Sequence, residues 1–99
     1  MNARTMPPYA VMCYATGCHR EAKYKIAARW SDGVISELKT YFLSCPDCLA
    51  ALYLSACVKQ AACRLAAGES LGDPQVFEMV RGKRDRELVR RAEFERANA

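Results

Sequence analysis

Two close pairs of cysteines, Cys13 with Cys18 and Cys45 with Cys48, flank a segment that reads as one β-hairpin. A hairpin returns the chain to where it started, so its two ends, and the two pairs with them, lie side by side. Four thiolates held this way can surround one Zn²⁺ at about 2.3 Å, the tetrahedral geometry of small structural zinc modules. The alternative for the same residues is a set of buried thiols or disulfides. Soft, deprotonated sulfur on short loops favours zinc, and Cys45-x2-Cys48 is the stronger of the two motifs.

The chain has 99 residues, enough for one domain. A chain of that size buries about two thirds of its unfolded surface, so a metal cross-link matters to its stability. Six cysteines in so short a chain also suit a secreted disulfide scaffold. Residues 1–12, however, contain no uninterrupted apolar run of the signal-peptide kind, and a reducing, cytoplasmic setting is expected. The longest apolar stretch, 49–58, is too short for a membrane span and is followed by Lys59 and Arg64, so no membrane association is expected. The formal charge of +4 falls to about +2 once four thiolates hold a zinc ion. Neither half of the chain is a strongly basic arm.

Residues 1–9, with Pro7 and Pro8, read as an extended or disordered lead-in. From Ala22 to Trp30 the pattern alternates: Ala22, Tyr24, Ile26, Ala28 and Trp30 fall on one face, and Lys23, Lys25, Ala27 and Arg29 on the other. Ser31, Asp32 and Gly33 supply a three-residue loop that pairs Trp30 with Val34 and Ile26 with Leu38. A wet face of Lys23, Lys25, Arg29, Glu37, Lys39 and Tyr41 results, with Trp30, Tyr24 and Phe42 on the core side.

Pro46 and Asp47 suit the first turn of a helix, which the Ala- and Leu-rich sequence extends to about Ala67, with Gly68 as its stop. Polar residues on it are few, so more than one face should be covered. Asp73-Pro74 caps a second expected helix through Val76, Phe77 and Val80. Gly82 weakens it, and the charge-alternating end reads as a solvated helix or frayed tail with Glu87–Arg91 and Arg91–Glu95 pairs.

His19 follows Cys18 directly, and only one of two adjacent side chains reaches a common metal. Cys18 is the expected ligand and His19 the alternative; the residue after the second cysteine of such knuckles often adopts an unusual backbone conformation, which His tolerates better than most residues. Cys57 and Cys63 lie about 240° apart around the expected helix and read as packing residues. Cys45-Pro46-Asp47-Cys48 at a helix start also describes a redox site, but such enzymes need further strands after the motif, and everything after Cys48 reads as helix.

The run from Cys13 to Ala22, the Asp32-Gly33 turn and the closing Leu43-Ser44-Cys45-Pro46-Asp47-Cys48 resemble a treble-clef zinc finger. The pattern is similar to that of the cysteine-pair zinc modules of the bacterial protein-arginine kinase activator family and, more loosely, of the zinc domain of the Clp unfoldase subunit. The resemblance covers about residues 11–66. It implies a zinc knuckle, a hairpin and a helix sharing one structural zinc held by Cys13, Cys18, Cys45 and Cys48. His19 stands where those modules commonly have Gly.

The sequence therefore leads to a small α+β zinc-bound treble-clef protein. Residues 10–68 form the zinc domain and 69–99 a C-terminal helical extension. No paired carboxylates, activated nucleophile or phosphate-binding glycine loop points to an enzyme. A protein-interaction or regulatory module is expected, self-associating through the long apolar helix. The alternative is nucleic-acid binding by the basic hairpin face.

Overall fold

A computed structural model describes residues 11–79 and 88–97. The protein is mixed α+β, with an antiparallel sheet, one main helix and a short C-terminal helix. Strands β1 (Tyr24–Ser31) and β2 (Ser36–Ser44) form the hairpin. A 3-10 turn over Pro46–Cys48 leads into helix α1 (Leu49–Ala62). Then follow β3 (Ser70–Leu71), β4 (Gln75–Glu78), β5 (Val89–Arg90) and helix α2 (Ala92–Ala97). The sheet order is β2-β1-β4-β5, with β3 also against β1. The core gathers Ile26, Leu49, Leu52, Tyr53, Ala56 and Val76 with Cys13 and Cys45.

The hairpin forms, but not in the expected register. Ser31 pairs with Ser36, Trp30 with Glu37, Arg29 with Leu38 and Ala28 with Lys39. Asp32 sets this loop: its carboxylate accepts from the N–H groups of Val34 (2.9 Å) and Ile35 (2.7 Å). Its own N–H donates to the Ile35 carbonyl at 3.1 Å, closing four residues, 32–35, where three were expected. Gly33, at φ +95°, supplies the left-handed step. Closer to the base, Tyr41 is an extra residue in a bulge, after which Ile26 faces Phe42 and Tyr24 faces Ser44. The bulge restores Phe42 to the face of Ile26 as the alternation required. In the outer half, Glu37 and Lys39 occupy the face expected to hold Ser36 and Leu38. Trp30, expected in the core, lies half-buried beside Glu37 and Lys39 in a shallow depression.

Helix α1 is shorter than expected. Cys63 turns extended (ψ 131°) and its N–H donates to the Gln60 carbonyl, tightening the last turn. Gly68, at φ +88°, serves a later reversal closed by reciprocal bonds between Ala66 and Glu69. That reversal returns the chain to the free edge of β1.

The second expected helix is strand β4. Lys25 pairs with Phe77 and Ile26 with Val76, burying both Val76 and Phe77. A β-branched and an aromatic residue beside an open strand edge favour the sheet over a helix that Pro74 could start. Strands therefore do follow Cys48. Because β2 and β4 both run antiparallel to β1, the unit β2–α1–β4 is a parallel pair split by β1. Val80, Gly82 and Glu87 lie outside the described residues, as does the lead-in. The Arg91–Glu95 pair is replaced by Arg90 with Glu95 and by Arg91 with Glu78 and Glu93. Arg91 precedes α2, so helical spacing does not govern it. Phe94 packs on the core and meets Tyr24 edge to face at 5.3 Å.

Candidate metal centre

The first cysteine pair sits on a small hairpin of its own. Cys13 N–H donates to the Arg20 carbonyl (3.0 Å), Ala22 N–H to the Val11 carbonyl (2.7 Å), and Met12 bridges Glu21. The Cys18 N–H closes a turn on the Ala15 carbonyl at 3.0 Å, with Gly17 at φ +80° as its third residue. Only glycine adopts that conformation freely, so Gly17 aims Cys18 back toward Cys13. Two further bonds fix this loop to the end of β2: Tyr14 N–H to the Leu43 carbonyl and Lys23 N–H to the Ser44 carbonyl, both 2.8 Å.

The second pair rides on the turn that begins α1. Cys45 is extended (φ −74°, ψ 166°), and Pro46 starts the turn without sacrificing a hydrogen bond. The buried Ser44 hydroxyl donates to the Cys45 carbonyl at 2.7 Å. Asp47, expected only to complement the helix end, also forms an ion pair with Arg20. That pair joins the two cysteine loops across 27 residues of sequence separation (47 − 20), and no local pattern announces it.

All four sulfurs lie within 4.8 Å of one another, and Cys18 Sγ is 3.8 Å from Cys45 Sγ. A zinc–sulfur bond of about 2.3 Å implies tetrahedral edges of about 3.8 Å, so the cluster is the size of one zinc site. Cys13 and Cys45 are buried; Cys18 and Cys48 are half-buried. Burial raises the Cys45 thiol, but hydrogen bonds from the Cys48 N–H and from the neighbouring thiols outweigh it and hold Cys45 below its ordinary value. Cys48 is pushed up to about 12, its proton held by Cys45 and its thiolate disfavoured by burial. Four thiols this close to one another suit a cation that replaces their protons. Four protein sulfurs would leave no open position for water, which makes such a site structural.

His19 is exposed and lies outside the cluster. No described non-glycine residue has positive φ, so the unusual backbone expected at His19 falls two residues earlier, at Gly17. Cys57 and Cys63 also lie apart from the cluster; Cys57 packs against the core and Cys63 ends α1. No disulfide links any of the six cysteines. Among the described residues no helix is long and apolar enough to cross a membrane. Comparison with protein-family models, with curated proteins and with solved structures gives no match.

Proposed function

We propose that this chain is a structural-zinc protein of treble-clef type, a non-enzymatic module that presents a contact surface to another protein. The observation that carries this reading is the four-sulfur cluster where the knuckle, the end of β2 and the start of α1 meet. The order knuckle, hairpin, helix, with the second cysteine pair at the helix start, is the order expected of a treble clef. One Zn²⁺ held by Cys13, Cys18, Cys45 and Cys48 locks these three elements together.

The contact surface assigned to this module is the outward arc of α1. Ala50, Ala51, Leu54, Val58, Ala61 and Ala62 are all exposed there, and Leu54 and Val58 keep 52% and 69% of their surface in solvent. A solvated helix face normally carries polar residues, and small residues let another helix approach closely. Nucleic acid is the poorer fit: Glu37 shares the depression that holds Trp30 and Lys39, and a carboxylate there opposes phosphate.

Native mass spectrometry of protein purified without added metal tests the first part; one zinc per chain is expected, and masses showing disulfides instead would overturn it. For the second part, Leu54→Asp should abolish association through α1 while zinc content stays at one per chain. Association unchanged in that folded variant would remove α1 as the contact surface.

A further inference from the structure

Among the described residues strand β2 ends the sheet order, and its outer edge carries a second, independent interaction signal. At nine residues it is far longer than the opposite edge strand, β5, which has two. A long unpaired edge is a template for another strand, and proteins usually blunt it. The inner end is blunted: Tyr41 bulges there, and Tyr14 N–H covers the Leu43 carbonyl. For residues 36–40, no backbone partner other than β1 occurs among the described residues.

The direction of each backbone group on this edge follows from the turn. Asp32 N–H bonds to the Ile35 carbonyl, so in an antiparallel ladder Trp30–Glu37 and Ala28–Lys39 are hydrogen-bonded pairs, while Ser31–Ser36, Arg29–Leu38 and Ala27–Thr40 are not. An independent bond agrees: the Arg29 carbonyl is turned away from β2 and accepts from Gly72 N–H at 2.9 Å. Ser36, Leu38 and Thr40 therefore aim their N–H and C=O groups outward.

We propose that two copies of this chain pair antiparallel through residues 36–40 of β2, about a two-fold axis at Leu38. In that register Leu38 meets its own copy, Ser36 meets Thr40, and about six hydrogen bonds form, all from groups that β1 does not use. Glu37 falls opposite Lys39 twice, at non-hydrogen-bonded positions where side chains are closest. Both residues are exposed and on one face, so the strand is charge-complementary to a second copy of itself. Lys39 guards the edge against strands lacking a matched acid.

This inference uses a surface separate from α1, and the same set of variants tells the two apart. The zinc-loaded full chain is run by analytical ultracentrifugation over a range of concentrations. The wild-type chain should reach twice the chain mass. Glu37→Lys and Lys39→Glu should each raise the dimer dissociation constant about tenfold or more, and combining them should restore it, because the exchange recreates both pairs. Leu38→Pro removes an outward N–H that the chain's own sheet does not use, and should give a zinc-loaded monomer. A wild-type chain that stays monomeric at its highest soluble concentration overturns the proposal. So does a dimer unaffected by Glu37→Lys and Leu38→Pro, and one dispersed by Leu54→Asp alone transfers association to α1.

Discussion

Cys45 is the residue on which the site turns, because it is fully buried and its sulfur lies within 4.8 Å of the other three. Replacing it with Ser removes one of the four sulfurs and leaves a buried hydroxyl among the other three. Cys45→Ser should lower bound zinc from one per chain to near zero by inductively coupled plasma analysis; full zinc content in that variant would place the metal elsewhere. His19→Ala should leave zinc content unchanged. Tyr53 is the other residue whose chemistry the fold constrains. Its hydroxyl donates to the Pro74 carbonyl at 3.0 Å, and burial, with nearby Cys57 and Glu95, pushes its pKa from 10 up to about 12. The folded state thus holds the Tyr53 proton more tightly than the unfolded chain does. That contribution is present in full below about pH 10 and is lost as pH climbs toward 12. Tyr53→Phe should cost about 1 kcal/mol at neutral pH. Between pH 10 and 12 its melting temperature should fall less than that of the wild-type protein, and equal falls would contradict the assignment.

At the scale of elements, what was legible in the sequence was what short-range chemistry decides. Alternation from Ala22 to Trp30 marked β1, and Pro46 beside two cysteines marked the start of α1. The register of β2 was not legible, because the turn chemistry of Ser31, Asp32 and Gly33 does not fix the length of the loop. The Asp32 carboxylate bonds that choose between them reach to Val34 and Ile35. The same limit hid β4: Asp73-Pro74 is a sound helix start, and only the free edge of β1 makes Val76 and Phe77 a strand. Beside the packing of Phe94, one carboxylate fastens the C-terminal helix. Glu95 accepts from Val76 N–H at 2.9 Å and from the Arg90 guanidinium at 3.0 and 2.7 Å, so one side chain ties α2 to β4 and β5. Glu95→Ala should destabilise the fold by about 1–3 kcal/mol and expose the Val76 amide to hydrogen exchange. Unchanged protection at Val76 would show that α2 is held by Phe94 alone.

For the whole molecule, the question is how far the fold would depend on the zinc proposed for its cysteine cluster. The cysteine cluster is not a separate appendage, since Cys13 and Cys45 belong to the same packed core as Ile26, Leu52, Tyr53, Ala56 and Val76. Yet the sheet and α1 also share apolar contacts that need no zinc, and β4 crosses back to β1 far from the knuckle in sequence. Two levels of dependence follow. The knuckle has few buried side chains of its own: Cys13 and Ala22 are buried, while Tyr14, Thr16, Gly17, His19 and Arg20 are exposed. Without metal it is held by backbone bonds to β2 and the Arg20–Asp47 pair, an exposed ion pair that contributes little. Stripping zinc with a chelator should therefore release the knuckle first. Amides of Cys13, Tyr14 and Ala22 should lose exchange protection while those of Ile26 and Val76 keep most of theirs. A loss of about 3 kcal/mol at the site corresponds to a fall in melting temperature of about 12–24 °C for a domain of this size. Uniform loss of protection across the sheet would mean that the metal supports the entire core. An unchanged melting temperature would mean that the four thiols hold the knuckle without a metal, and the structural-zinc reading would fall with it.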